Sequence, residues 1–239
     1  LIRLSLPLIL KKKILNQITL EMKKILYSLF FLTITITCVS AQSKNDPDAK
    51  KLLEAVTTKF KTFKAVQAKF TLRIENAAGK SLGSKTGSVS MKGMKYRVSI
   101  TGQEIFCDGT NVSTYDPSSK EVTITKVDPT SNAITPQKIF ADDSYDKDFL
   151  YKLNDPKVVN GKTIEEVELT PIDKTKSFFK VLVQIDKATQ TIVSTKIFEK
   201  TGERYTYSIS NMNTKAAIGD DEFVFDAKKY PGTEVVDLR

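Results

Sequence analysis

The chain has 239 residues, with 37 Lys and Arg against 28 Asp and Glu, a formal net charge of +9, and no histidine. Without histidine, the commonest general base, the Ser–His and Cys–His nucleophile pairs and the commonest zinc ligand are all unavailable. Arg3, Lys11, Lys12, Lys13, Lys23 and Lys24 stand against Glu21 in residues 1–41, a net +5 of the +9, so +4 remains for residues 42–239; that mild excess does not suggest nucleic-acid binding and is compatible with weak attraction to anionic membrane surfaces or acidic partners.

In chain order, residues 1–21 form an apolar, lysine-rich stretch that opens on Leu1 and reads as an extension upstream of a start at Met22. Met22-Lys23-Lys24, the apolar run Ile25 to Val39 and Val39-Ser40-Ala41 follow the order of a secretory signal, with cleavage expected after Ala41. The run is 15 residues, short of the roughly 20 that a membrane-spanning helix needs; a retained N-terminal anchor is the other reading. Cys38 follows Thr35-Ile36-Thr37, a poor match to the small residues of a lipidation site. Cys107 is then the sole cysteine after the leader, which leaves no intramolecular disulfide and fits a small buried hydrophobe. Residues 42–239 are expected to form one domain, large enough to bury a core without staples.

Asp46-Pro47 is a helix start, an N-cap followed by a proline where the missing N–H costs nothing. Leu52, Leu53, Val56, Phe60 and Phe63 recur at helical spacing, with Lys50, Lys51, Lys59 and Lys61 mostly on the wet side, so a helix is expected over 48–64. The period then changes to two. Phe70, Leu72 and Ile74 alternate with Thr71, Arg73 and Glu75; Val89 and Met91 alternate with Ser88, Ser90 and Lys92; Met94, Tyr96, Val98 and Ile100 alternate with Lys95, Arg97, Ser99 and Thr101. Further strands are expected near 111–116, 120–127, 163–170, 178–186, 190–199 and 203–211, about ten in all, between turn signals such as Asp108-Gly109, Asn160-Gly161 and Thr201-Gly202. Pro136 to Ala141 reads as a short helix. The whole describes a mainly β fold with covering helices: an incomplete antiparallel barrel, or half-barrel, lidded by the N-terminal amphipathic helix and the short central one.

Residues that carry chemistry are sparse. No P-loop and no G-x-G-x-x-G occurs. Asp142, Asp143, Asp146 and Asp148 invite a calcium reading, but the run lacks the central Gly and terminal Glu of an EF-hand loop and reads as a solvated helix end. Glu165, Glu166 and Glu168 could supply paired carboxylates; Glu166 and Glu168 share a strand face, and a wet face is the plainer expectation. No catalytic residue, metal site or cofactor is therefore expected.

Gly87 to Thr125 holds an ordered motif: Asp108-Gly109, Val112, Tyr115-Asp116-Pro117 and Glu121-Val122, then Pro136 and Ile139; near the end stand Phe223-Val224-Phe225, Pro231-Gly232 and Val235 to Asp237. From about residue 48 to 239 the chain resembles the periplasmic outer-membrane lipoprotein carrier (LolA-like) family. The resemblance implies a hydrophobic cavity under the helices. It also implies a periplasmic, monomeric carrier that takes lipoprotein acyl chains from an inner-membrane lipoprotein-releasing transporter to an outer-membrane acceptor. Candidate cavity residues are Leu53, Val56, Phe60, Phe70, Leu72, Ile74, Val89, Met91, Met94, Tyr96, Val98, Ile100, Ile139 and Phe140. Alternating strand faces alone would equally fill a solid interior. Two departures stand out: the chain has no Trp, and Lys92-Gly93 occupies the place of the Arg-Pro linked to lid closure in the family. The other reading is a periplasmic sensor or scaffold in which a similar half-barrel binds a membrane-protein partner.

Overall fold

The computed structural model describes residues 45–128, 135–140 and 145–239. The expected leader and the front half of the acidic run, Asp142 and Asp143, lie outside these residues. The first element is helix α1, Pro47–Lys61. Asp46 caps it, its side chain accepting from the backbone N–H groups of Asp48 and Ala49, which satisfies donors that the first turn cannot pair internally. Ala49, Leu53 and Val56 fall on one stripe and are buried, with Leu52 and Phe60 packed at its margin.

Among the described residues, twelve strands follow: β1 Val66–Glu75, β2 Ser81–Lys92, β3 Lys95–Ile100, β4 Gln103–Cys107, β5 Asn111–Asp116, β6 Glu121–Lys126, β7 Phe149–Val159, β8 Lys162–Pro171, β9 Phe178–Asp186, β10 Thr191–Glu199, β11 Arg204–Asn213 and β12 Glu234–Asp237. Helices α2, Pro136–Phe140, and α3, Tyr145–Asp148, lie between β6 and β7. These strands join one open sheet in the order β12-β6-β5-β4-β3-β2-β1-β11-β10-β9-β8-β7. Every neighbouring pair is antiparallel except β12 with β6. The fold is thus the expected half-barrel with covering helices, built from twelve strands rather than ten.

The additional strands have physical reasons for escaping periodicity. β7 contains Asn154-Asp155-Pro156, and its pairing with β8 shifts register between Asn154 and Lys157; a bulge is where a strand tolerates proline. β4 is short and apolar on both faces, with Ile105 on one and Phe106 on the other, so it shows no alternation. The front of β2 carries Gly83 and Gly87 in place of apolar side chains. At Gly87 a Cβ would stand 2.6 Å from the Phe70 ring and 2.5 Å from the Ser99 carbonyl. The missing side chain lets Phe70 lie across β2.

Contacts cover the front of the β7 edge, and β12 extends the sheet beyond β6. At β7, the Asp46 N–H donates to the Tyr151 carbonyl (3.2 Å), while the N–H groups of Tyr151 and Leu153 donate to the side chains of Asn45 (3.1 Å) and Asp46 (3.1 Å). Asp46 therefore caps a helix and blunts a strand edge at once. At β6 the edge is taken by β12, flanked by bonds from Glu234 N–H to Lys120 O and from Leu238 N–H to Ile124 O, both 2.8 Å.

Pairing registers sort the side chains onto two faces. The inner face, toward α1, carries Phe70, Leu72, Val89, Met91, Tyr96, Cys107, Val181 and Val183. The outer face is polar over β1 and β9–β11 but carries an apolar patch over β4–β6. There Phe106, Tyr115 and Val122 are covered by a strap running through the 3-10 turns Asp220–Phe223 and Ala227–Lys229. Phe223 is fully buried, and Tyr230 stacks on Phe225 at 4.9 Å and meets Tyr115 at 4.6 Å.

Glu166 corrects an expectation. It is 6 % exposed rather than on a wet face. It accepts from Asn154 Nδ2 (3.1 Å) and Gln184 Nε2 (2.9 Å), with Lys157 Nζ at 3.7 Å. Burial alone would raise its pKa, but these bonds and the lysine outweigh it and hold the carboxyl below its ordinary value. Cys107 is buried on the inner face, and burial pushes its thiol up.

Candidate ligand-binding face

The inner face forms one contiguous apolar cluster with the α1 stripe, but its cover is uneven. Under and around α1, over β7 to β10, the side chains of Tyr151, Val167, Leu169, Val183, Ile185 and Ile197 are buried. Over β3–β5, β1 and β11, the side chains of Val98, Ile100, Ile105, Val112, Ile74, Tyr205, Tyr207 and Ile209 remain half-buried. The Phe70 and Tyr207 rings meet near the middle at 6.1 Å. Burial pushes the Tyr96 hydroxyl up to about 12, with Cys107 beside it adding to the shift; it stays neutral, as an apolar surface requires.

Of the sequence-derived candidates, Leu53, Val56, Phe70, Leu72, Val89, Met91 and Tyr96 come together as buried members of this cluster. Phe60, Ile74, Val98 and Ile100 are half-buried against it. Met94 does not join them: it is 67 % exposed. Gly93, at φ 59°, and Met94 make up the two-residue turn between Lys92 and Lys95, so Met94 has left the strand alternation that carries Tyr96 inward. The side chains of Ile139 and Phe140 lie outside the described residues; their backbone belongs to α2. Tyr205, Tyr207 and Ile209 were legible as partners, because they alternate with Thr206, Ser208 and Ser210 along β11. Ile105 on β4 had no such signal.

The lid is latched at its flank. Lys50 Nζ on α1 and the Tyr151 hydroxyl on β7 both donate to the Asp146 carboxylate on α3. These bonds hold Asp146 below the usual carboxylate range, the Lys50 bond contributing most. A hollow of about 230 Å³ opens beside this latch, lined in part by Leu53, Thr57, Tyr145 and Tyr151. A larger one, about 430 Å³, lies on the outer face among Thr71, Arg73, Gln184, Ser194, Lys196 and Ser208. Its polar lining and opposite face separate it from the apolar cluster. Lys92, at the place of the family's lid arginine, does not touch the lid: it donates to Asp220 of the strap at 2.8 Å.

An open antiparallel half-barrel with a helix over an apolar inner face is the architecture of a protein that binds apolar ligands, with no catalytic constellation needed. Residues 61–226 match the model of the family described as outer membrane lipoprotein carrier protein LolA, and the chain belongs to that family. Its members are binding and carrier proteins that work outside the cytoplasm. No curated protein matches the sequence. Among solved structures, an uncharacterized conserved protein from Thermus thermophilus is similar at 12 % identity and a TM-score of 0.54, covering 80 % of this chain and 99 % of that one. That likeness shows the fold. A LolA superfamily protein from Nitrosomonas europaea (17 % identity, TM-score 0.41, covering 75 % and 98 %) and the Mycobacterium tuberculosis lipoprotein LppX (11 %, 0.47, 73 % and 100 %) are also similar. Among the described residues, no helix is long and apolar enough to cross a membrane.

Proposed function

We propose that the chain is a periplasmic carrier that holds lipoprotein acyl chains against the inner face of its sheet and ferries them from the inner to the outer membrane. It would load from an inner-membrane lipoprotein-releasing transporter and unload at an outer-membrane acceptor. The observation that carries this reading is the uneven cover of the inner face: one continuous apolar cluster, buried under α1 and at Phe70, Leu72, Tyr96 and Cys107, with half-buried positions beside them at Ile74, Val98, Ile100, Ile105, Tyr205 and Tyr207. An acyl chain of roughly 15 methylenes costs on the order of 12 kcal/mol to hold in water, at about 0.8 kcal/mol per CH₂, and a half-open apolar face offers it a place to go. The α1 stripe fills its own part of the face, so loading a whole chain requires α1 to lift or slide. In the Lys50–Asp146–Tyr151 latch the two charged side chains are about half exposed, so opening it exchanges their partners for water without burying unpaired charge.

Mass spectrometry of the gently purified protein, with titration of a fluorescent fatty-acid probe, tests the proposal. Co-purifying lipid or lipoprotein and saturable probe uptake are expected. A protein that carries no lipid, takes up no probe and instead co-purifies with one protein partner would overturn it.

A further inference from the structure

One end of the sheet carries an arrangement that the inner face does not use. The turns β1–β2, β8–β9 and β10–β11 meet there. The Lys200 N–H donates to the Ser177 carbonyl at 2.8 Å, Lys200 Nζ reaches the Lys174 carbonyl, and Arg204 reaches the Ala77 carbonyl. On the outer face beside them, Phe198 is surrounded by cations: Lys180 Nζ at 4.7 Å, Arg204 Cζ at 5.5 Å and Lys196 Nζ at 5.7 Å from its ring centroid. Arg73 adds a fourth positive group. Among the described residues, two carboxylates form ion pairs with these: Glu75, held by Lys196 (2.6 Å) and Arg73 (2.9 Å), and Glu168, 3.8 Å from Lys180. The adjoining turns add Lys80, Lys174, Lys176 and Lys200 against Asp173, Glu199 and Glu203, so this end carries eight positive groups against five negative, an excess of three.

Large apolar side chains stand out of the same end. Leu82 is 57 % exposed, Phe179 49 % and Ile172 46 %, with the Phe179 ring 6.1 Å from Phe198. They project from three separate segments as single knobs rather than as the clustered anchor of a protein–protein hot spot. A bilayer surface suits them better. Apolar knobs enter the boundary between headgroups and acyl chains, while Lys and Arg run their stems along them and place their charges at the phosphates.

We propose that this basic, apolar-tipped end of the sheet docks the protein on an anionic bilayer surface. The carrier reading says what the inner face holds; this inference says where the molecule rests, and it stands on different residues. Docked this way, half-buried Ile74 and Tyr205, paired at the same end of β1 and β11, are the inner-face residues nearest the lipid.

Vesicle flotation tests it, comparing phosphatidylglycerol–phosphatidylethanolamine vesicles with phosphatidylcholine vesicles. Binding to the first is expected and falls with salt; binding to the second is expected to be weak. Lys180→Gln and Arg204→Gln should each lower partitioning about fivefold, from about 1 kcal/mol per cation near the surface. Phe179→Ser should also lower it, whereas Lys126→Gln, remote from the turns, should not. All the tip variants should retain wild-type uptake of the fatty-acid probe. Should Phe179→Ser lower the melting temperature, the two cation variants decide. Equal binding to both vesicle types, indifference to the tip variants, or an equal loss in Lys126→Gln would overturn the proposal. So would tip-dependent capture of a soluble acidic protein without vesicle binding, which would assign the surface to a protein partner. Vesicle binding without probe uptake would overturn the carrier reading and leave this one standing.

Discussion

The two halves of the inner face are made alike and end differently. β9 and β10 present Val181, Val183, Ile192 and Ile197 under α1, and all four are buried. β3 and β4 present Tyr96 and Cys107, which are buried, but also Val98, Ile100 and Ile105 in the same alternation, and these three remain half-buried. Strand pattern therefore decides which face is apolar, but the element above it decides whether that face becomes core or accessible surface. The helix covers one half of the sheet, and the other half keeps half-buried positions beside its buried ones.

The largest expected effect comes from breaking this contrast on its sealed side. Ile185→Ala, at a fully buried site, should cost about 2–5 kcal/mol, because it removes contacts and leaves a void. Ile105→Ala and Val98→Ala should each cost below about 2 kcal/mol, since fewer contacts are lost, yet lower affinity for the fatty-acid probe. Urea denaturation and probe titration of the three variants measure the contrast directly; equal destabilisation on both sides would erase it. Next in size, Gly87→Ala places a methyl group against Phe70 and the Ser99 carbonyl and should cost about 1–3 kcal/mol by overpacking. A parallel loss of probe binding would place Phe70 in the ligand's path.

The latch sharpens the comparison without touching either apolar half. Asp146→Asn removes the charge that Lys50 and Tyr151 share, so probe uptake should become faster while the melting temperature moves little, as expected for an exposed ion pair. Stopped-flow fluorescence follows it, and an unchanged rate would show that α1 opens elsewhere. The smallest effect concerns the strap. Lys92 and Lys95 hold Asp220 at about 2, below its ordinary 3.8. A depressed carboxylate contributes stability that is fully present above the unfolded value and is lost as pH falls through the folded one. The strap should therefore loosen between about pH 4 and 2, read through the fluorescence of Tyr115 and Tyr230 in a protein without tryptophan, and Asp220→Asn should remove that step.

How far the sequence could be read follows from the same geometry. α1 was legible from Asp46-Pro47 and its stripe, and the central strands from clean alternation, because each of these elements has one wet face. β4 and the Pro156 bulge of β7 were not, since one is apolar on both faces and the other breaks its own period. The strap was legible only as a motif: Phe223 and Phe225 are far in sequence from the Phe106 and Tyr115 they cover, and no local period records such a contact. Met94 shows the limit in a single residue, because alternation assigns it inward until Gly93 turns the chain. Apart from Ile139 and Phe140, whose side chains lie outside the described residues, the other expected residues pack in one cluster, although the sequence could not say that Phe60, Ile74, Val98 and Ile100 would be less covered than the rest.

The pairing of β1 with β11, Phe70 opposite Ile209, sets how this molecule comes into being. The first strand made has its permanent neighbour on one side almost at once, in β2, and must wait for nearly the whole chain before the other arrives. Until then its long, apolar-faced edge is open to any passing strand. Sheets joined across such a distance in sequence assemble slowly, so this protein is most vulnerable to aggregation before its last third has been made, and a chain cut short before Arg204 would be left with that edge permanently unpaired.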